Sequence, residues 1–170
     1  KEIIEGLNAC SRMGMSVYTI HPGFLSPIAM MSEKAVYQTM ESSLKKIDQA
    51  ARDTNVKVAL ENMPNMVFAL CKMPAELLRA VEGTDLGLCF DVGHANTTRT
   101  VEEFLDYKDR FVNVHVHDNN GDRDGHLPIG DGSIDFKKVL RELANYTGRL
   151  VIESKGIEDA VVSRDRLLQM

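Results

Sequence analysis

The sequence has no continuous apolar run near the roughly 20 residues that a helix needs to cross a bilayer, and no basic-then-apolar leader opens it. Within these residues neither a membrane span nor a signal peptide is expected. Cysteine is scarce: Cys10, Cys71 and Cys89 are odd in number and far apart. Such a set builds no disulfide framework, and the expectation is a reducing, cytoplasmic setting. No Gly-x-Gly-x-x-Gly turn follows a first strand, which leaves the dinucleotide-binding version of an open α/β sheet unsupported. Asn-Gly turns between paired β-runs are missing, so antiparallel hairpins are not expected. Nor is there an excess of positive charge. Twenty Lys and Arg stand against 25 Asp and Glu, a net charge of -5, which argues against a general nucleic-acid surface.

What is present reads as one core. The 170 residues are 44% hydrophobic and 26% charged, enough for a single unit, and residues 1–170 are read as one domain. Because the first residue is Lys1, the chain is expected to be a fragment, a processed product or a renumbered piece. Apolar positions spaced by three or four predict a helix over 1–14 (Ile3, Ile4, Leu7, with Ala9 or Cys10) that Gly14 stops. They predict a longer one from an N-cap at Ser32 to about Thr54 (Val36, Met40, Leu44, Ile47, Ala51). Further helices are expected from about Pro74 to Val81, within 95–108 after a loop, after Ser133 (Phe136, Val139, Leu140, Leu143) and at the carboxyl end. Between them lie five apolar β-runs, 15–20, 56–60, 86–90, 111–116 and 149–152. In the fourth, alternation puts Asn113, His115 and His117 on one face. Val112, Val114 and Val116 fall on the other, against helices. The charge-rich stretch 41–53 reads as a helix's solvent face.

Strands alternating with helices imply parallel pairing through right-handed crossovers, and near-continuous apolar runs imply strands covered on both faces. An open doubly wound sheet and part of a (β/α)8 barrel both satisfy this. In chain order, the strand ends bring His21, Glu61, Asp91 with His94, His115 with His117, and Glu153; the loop after the fourth strand adds Asp124 and His126. Each alone is most economically a solvated loop residue or a helix cap. Their convergence on one carboxyl rim, where barrels put active sites, points to a metal. Two glutamates, an aspartate and a histidine make a hard, oxygen-rich set that suits Mn²⁺, Mg²⁺, Co²⁺ or Zn²⁺ and not a thiolate metal. Cys89, in phase with Asp91, is read as packing inside the barrel rather than as a ligand.

The runs His21-Pro-Gly, Leu60-Glu-Asn-Met63, Phe90-Asp-Val-Gly-His94, His115-Val-His-Asp118, Asp124-Gly-His126, Ile129-Gly-Asp-Gly132 and Ile152-Glu153 resemble the xylose-isomerase-like TIM-barrel superfamily, in order and over nearly the whole chain. That group holds sugar and sugar-phosphate isomerases and epimerases together with the AP endonuclease known as endonuclease IV. The resemblance implies a (β/α)8 barrel of which this chain covers roughly the last five β/α units, three units preceding Lys1. An open five-strand arc leaves two edges and the barrel interior exposed. Further residues or another chain, a homo-oligomer included, are therefore expected to complete it.

For the isomerase and epimerase members the resemblance implies one divalent metal held by Glu61, Asp91, His115 and Glu153, with oxygens of a sugar or sugar phosphate in the open positions. The metal polarises a carbonyl and its neighbouring hydroxyl and stabilises an enediolate. Glu61 and Glu153 remove and return the proton, and His94 orients the substrate. For the endonuclease members it implies up to three Zn²⁺, with nucleic acid as partner. His21 and Glu61 hold one, Glu61, Asp91, His115 and Glu153 a second, and His94, Asp124 and His126 a third. Two departures favour the first reading: the loop from His115 to Asp124 is shorter than the endonuclease pattern, and His117 stands where that group shows Asn. A third reading is a barrel half that keeps the rim without catalysis. His117 and Arg123 are read as pocket residues, Arg123 toward an anionic substrate, and Met63, Met66 and Met73 as an apolar wall. Gly130–Ser133 reads as a turn with Ser133 or Asp135 as the next N-cap, a phosphate site on its backbone N–H groups being the alternative.

Overall fold

Helix α1 (Glu2–Arg12) buries Leu7 and ends just before Gly14. The computed structural model describes residues 1–170. After α1 come β1 (Val17–Ile20), α2 (Glu33–Arg52), β2 (Lys57–Glu61), α3 (Pro74–Ala80), β3 (Gly87–Asp91), α4 (Val92–Thr98), α5 (Val101–Leu105), β4 (Phe111–Val116), α6 (Phe136–Glu142), β5 (Leu150–Ile152) and α7 (Ile157–Leu167). All pairings are parallel, and the order across the sheet is β1-β2-β3-β4-β5. That order separates the two candidate architectures. A doubly wound sheet reverses direction at a switch point, whereas here each strand lies beside its predecessor, as in a barrel. The sheet also curls. Asn113 Nδ2 on β4 donates to Thr19 Oγ1 on β1 at 2.9 Å; three flat strand spacings would hold them roughly 14 Å apart. The fold is thus a five-strand arc of a (β/α)8 barrel. Its edges β1 and β5 have no further strand partner, and Leu150 and Val151 on β5 are 36% and 37% exposed. No helix is long and apolar enough to cross a membrane.

Alternation along the strands sorts the side chains. Ile20, Val58, Leu60, Leu88, Phe90, Val114 and Val116 face the helices and join one apolar core with Leu7, Leu44, Ile47, Leu77, Phe104 and Phe136. Phe90 stacks on Phe111 at 4.8 Å and on Phe104 at 5.6 Å, contacts of about 0.5–1.5 kcal/mol each beyond their burial. The concave face carries the polar set. Glu61 lies beside Cys89, Cys89 beside Asn113, and Asp91 beside His115 in the strand register.

Three expectations from the sequence fail here. Val112 does not share the helix-side face with Val114 and Val116. The pairing jumps from Leu88–Phe111 to Cys89–Asn113, and this bulge leaves Val112 unmatched and packed against Gly87, while Phe111 takes the core place. A bulge inserts one residue and breaks the period of two. Next, no loop precedes the helix after β3: α4 starts at Val92, because the Asp91 carboxylate caps it by accepting from the His94 N–H at 2.8 Å. Finally, Asp48, within the charge-rich run of α2, is buried. It accepts from the Asp85 N–H and pairs with Arg52, both at 3.0 Å.

Candidate metal centre

β2 and β3 each end in a carboxylate, Glu61 and Asp91, and β4 carries His115 one residue before its end. Parallel pairing sets these side by side, and β5 delivers Glu153 just beyond its last residue. His115 Nδ1 lies 2.9 Å from Glu153 Oε1, 3.0 Å from Glu61 Oε1 and 4.0 Å from Asp91 Oδ2. One atom from each of these four residues falls within 4.8 Å of all the others, a spacing that ligands around a single ion adopt. Glu61 and Asp91 are buried, and Asp91 Oδ2 has no hydrogen-bond partner. A carboxylate oxygen withdrawn from water with nothing opposite is costly, and a divalent cation offsets that cost. The donor set of three carboxylates and one imidazole fits such an ion. His21, exposed at the end of β1, reaches Glu61 Oε2 at 3.1 Å.

Two asparagines that do not stand out in the sequence hold this ring in place. Asn113 Nδ2 lies 3.0 Å from His115 Nε2. One N–H of that amide faces the ring nitrogen and the other donates to Thr19 Oγ1, which fixes the rotation of the imidazole. Asn62 bridges the ends of β2 and β3: its Nδ2 donates to the Asp91 carbonyl at 2.9 Å and its Oδ1 accepts from the Asp91 N–H at 2.8 Å. Its own carbonyl faces His94 Nδ1 at 2.8 Å. Cys89 stands against Glu61 and His115, not in the helix-side core. Burial pushes its thiol up to about 11, so it meets them uncharged near neutral pH.

A second cluster lies beside the first. His94 Nε2 is 3.4 Å from Asp124 Oδ2, and His126 Nε2 is 3.3 Å from the same oxygen. His117 Nε2 is 3.3 Å from Asp124 Oδ1 and 3.2 Å from Asp91 Oδ1. Asp91 therefore turns one oxygen to each cluster. The loop that returns Asp124 and His126 is knitted by Asp118, which is fully buried. Its Oδ1 accepts from the N–H groups of Asn119 at 2.9 Å and Ile134 at 3.3 Å, and its Oδ2 from that of Gly130 at 2.8 Å. A Cβ on Gly132 would collide with that carboxylate. With Asp131 and Ser133 N–H donating to the Pro128 and Asn119 carbonyls as well, the Gly130–Ser133 turn offers no phosphate cradle. Asp135, rather than Ser133, caps α6 by accepting from the Lys138 N–H at 3.0 Å. Arg123 is exposed on the loop; Met63 is buried beyond Glu61, while Met66 and Met73 are exposed.

Burial opposes charge throughout the centre, and close contacts overcome it. Glu61 falls to about 2 because hydrogen bonds from His115 and His21 outweigh its desolvation. Burial likewise works against Asp124 and His94, yet their contact takes Asp124 down to about 2 and His94 up to about 9, Asp91 helping the latter. His115 rises too: burial opposes it, and contacts with Cys89, Glu153 and Glu61 win. Linkage then fixes the sign of the pH dependence. His94, raised from 6.5 to about 9, contributes stability that is complete below about pH 6.5 and lost as pH rises through about 9. Glu61 and Asp124, depressed from 4.5 and 3.8 to about 2, contribute stability present above about pH 4.5 and lost as pH falls toward 2. Thermal melts of the metal-free chain should therefore peak between about pH 4.5 and 6.5 and decline toward pH 9. Added divalent cation should reverse the alkaline decline, because it takes the lone pairs that protons leave. A flat alkaline limb without metal would contradict this pairing.

Comparison with known proteins places the architecture. The solved structure of a D-tagatose 3-epimerase-like protein superposes with a TM-score of 0.93 at 35% identity, over 98% of this chain and 66% of that one. An uncharacterized protein of Methanocaldococcus jannaschii, MJ1311, is 36% identical over 174 residues, 97% of this chain and 59% of the relative. A probable endonuclease 4 of Acholeplasma laidlawii is 27% identical over 160 residues, 83% of this chain and 52% of the relative. The chain thus spans less than two thirds of each of these curated relatives. The family model of the xylose isomerase-like TIM barrel matches residues 1–168. With a barrel's strand order and a match over that whole range, the chain belongs to the xylose isomerase-like TIM-barrel family.

Proposed function

We propose that the chain carries the metal-binding part of a divalent-metal-dependent sugar or sugar-phosphate isomerase or epimerase. The observation that supports this is the ring of Glu61, Asp91, His115 and Glu153, with an unpartnered Asp91 oxygen turned into it. Likeness to a D-tagatose 3-epimerase-like protein supports a ketose as the substrate class. A bound divalent cation supplies the positive charge that polarises a carbonyl and its neighbouring hydroxyl. Glu61 and Glu153 are the acid–base pair. Each turns Oε1 to His115 and the other oxygen away: Glu61 Oε2 to His21 Nε2 at 3.1 Å, Glu153 Oε2 toward His126 Nδ1 at 3.8 Å. That outward oxygen takes a proton from a substrate carbon on one side and returns it on the other. The Glu153 side chain is 31% exposed against 2% for Glu61, so Glu153 meets substrate first. His21, exposed beside Glu61, is in place to orient substrate hydroxyls.

Glu153→Gln tests the assignment. It keeps the shape of the side chain and removes its charge and its basicity. Interconversion of ketohexose epimers with Mn²⁺ or Co²⁺ should drop on the order of a thousandfold, with circular dichroism unchanged. Activity within tenfold of wild type would sink the role given to Glu153. A second reading, a zinc-dependent AP endonuclease, is favoured by the meeting of His94, Asp124 and His126 beside the first ring and by likeness to a probable endonuclease 4. The net charge of -5 weighs against a DNA groove. Cleavage of an abasic duplex by the zinc-loaded chain, without ketose turnover, decides for that reading. Metal binding with neither activity is the outcome expected of a non-catalytic barrel.

A further inference from the structure

Helix α7 docks through polar side chains. A surface helix ordinarily buries a stripe of aliphatics, yet the one fully buried residue of α7 is Ser163, while Val161 and Val162 are exposed. Ser163 Oγ accepts from the Ile129 N–H at 3.1 Å. Arg166, three residues on and so on the same side of the helix, sends Nη1 to the Ile129 carbonyl and to Asp131 Oδ1, both at 2.6 Å. Both backbone groups of Ile129 are thus taken by α7, and its side chain is fully buried.

This clasp joins two flanks of the metal centre. On one side stands Glu153, between β5 and α7. β5 is an edge strand of three residues, and pairing holds Glu153 through one bond, its N–H to the Val116 carbonyl at 3.1 Å. On the other side stands His126, three residues before Ile129. The stretch between them is stiff: Leu127 pairs with Asp118 through both of its backbone groups, and Pro128 has a fixed φ. The two flanks meet where His126 Nδ1 lies 3.8 Å from Glu153 Oε2. Glu153 Oε1 is anchored on His115 at 2.9 Å. Oε2 has no such anchor, so its place follows the backbone that carries it.

We propose that Arg166, with Ser163, is a positioning residue for the proton transfer at Glu153: by clasping Ile129 it holds the outward oxygen of Glu153 opposite His126. The inference rests on the isomerase reading. The bonds of Arg166 end at Ile129 and Asp131, outside the metal centre, so it acts through the segments it joins. A misplacement of about 1 Å at a reacting group can cost on the order of a hundredfold in rate.

Arg166→Met tests this, since it keeps the stem and removes both bonds. In the Mn²⁺-loaded protein, kcat for ketohexose epimerisation should fall on the order of tenfold or more. KM and circular dichroism should hold, because Glu61, Asp91 and His115 stand on β2, β3 and β4. Ser163→Ala, which leaves the Arg166 bonds in place, should lower kcat less. Arg166→Lys should recover most of the rate, because both bonds leave a single nitrogen. NMR of histidine-labelled protein reads the contact without turnover. The ring signals of His126, identified by their loss in His126→Gln, should shift in Arg166→Met and return in Arg166→Lys. Wild-type kcat in Arg166→Met, an equal loss in Arg166→Lys, a loss confined to KM, or unmoved His126 signals would each overturn the proposal. A wild type that turns over no ketose would remove the isomerase reading, and the His126 signals alone would then decide whether the clasp sets this contact.

Discussion

Asp91→Asn should abolish ion binding at the strand-end ring, and turnover with it, while the secondary structure stays intact. The reason lies in how the two oxygens of Asp91 are used. Oδ1 accepts from the His94 N–H and caps α4; an asparagine oxygen does the same. That cap fixes the side chain's rotation, so the amide NH₂ must occupy the place of Oδ2, the unpartnered atom turned toward Glu61, His115 and Glu153. A donor then points where a cation belongs. Affinity should fall on the order of a hundredfold or more. At a cation concentration near 1,000 times Kd, the wild type gains about 4 kcal/mol of stability from binding, a rise of order ten degrees in Tm for a chain of this size. The variant's melting curve should barely move. Titration calorimetry and melts with and without Mn²⁺ measure both. Wild-type affinity in Asp91→Asn would mean that Asp91 is no ligand.

Which features the sequence revealed depends on the range over which each residue acts. The strand-end ring is legible because parallel β/α alternation delivers the last residue of every strand to one rim. Glu61, Asp91, His115 and Glu153 therefore converge without any knowledge of side-chain contacts. The stripe of Met40, Leu44 and Ile47 on α2 is legible for a similar reason, a local period of 3.6. What escapes depends on distant partners. The slip at Val112 is set by pairing with β3, and alternation within one strand cannot register it. The early start of α4 depends on a cap from Asp91, a residue whose strand-end position suggests only metal binding. Asn62 acts on Asp91 29 residues away, and Asn113 on Thr19 94 residues away. Their roles exist only once the sheet has formed and curled. The same holds for the choice of barrel over open sheet, which strand order and curvature decide and helix–strand alternation does not.

Asp118→Ala should cost about 3–5 kcal/mol of stability, because it strips the acceptor from three backbone N–H groups at once. The N–H groups of Asn119, Gly130 and Ile134 all donate to this one carboxylate and to no backbone carbonyl. Without it, water must enter a loop floor where Asp118 and Asn119 are buried. Asp118→Asn should lose roughly half as much, because one oxygen remains while its amide group meets a backbone N–H donor head on. Gly132→Ala should resemble Asp118→Ala, since the new methyl would occupy the carboxylate's place. Urea unfolding measures the loss, and hydrogen exchange should locate it between residues 119 and 134. The consequence for the centre is selective. This loop carries Asp124 and His126, whereas Glu61, Asp91, His115 and Glu153 sit on or next to the strands. Loosening the loop should scatter the second cluster and spare the first, so Asp118→Ala should keep wild-type Mn²⁺ affinity at the ring of Glu61, Asp91, His115 and Glu153. Unfolding within 1 kcal/mol of wild type would show that the loop's other ties, among them the paired backbone of Asp118 and Leu127 and the Asn119 side chain between Asn96 and the Gly93 carbonyl, hold it without this carboxylate.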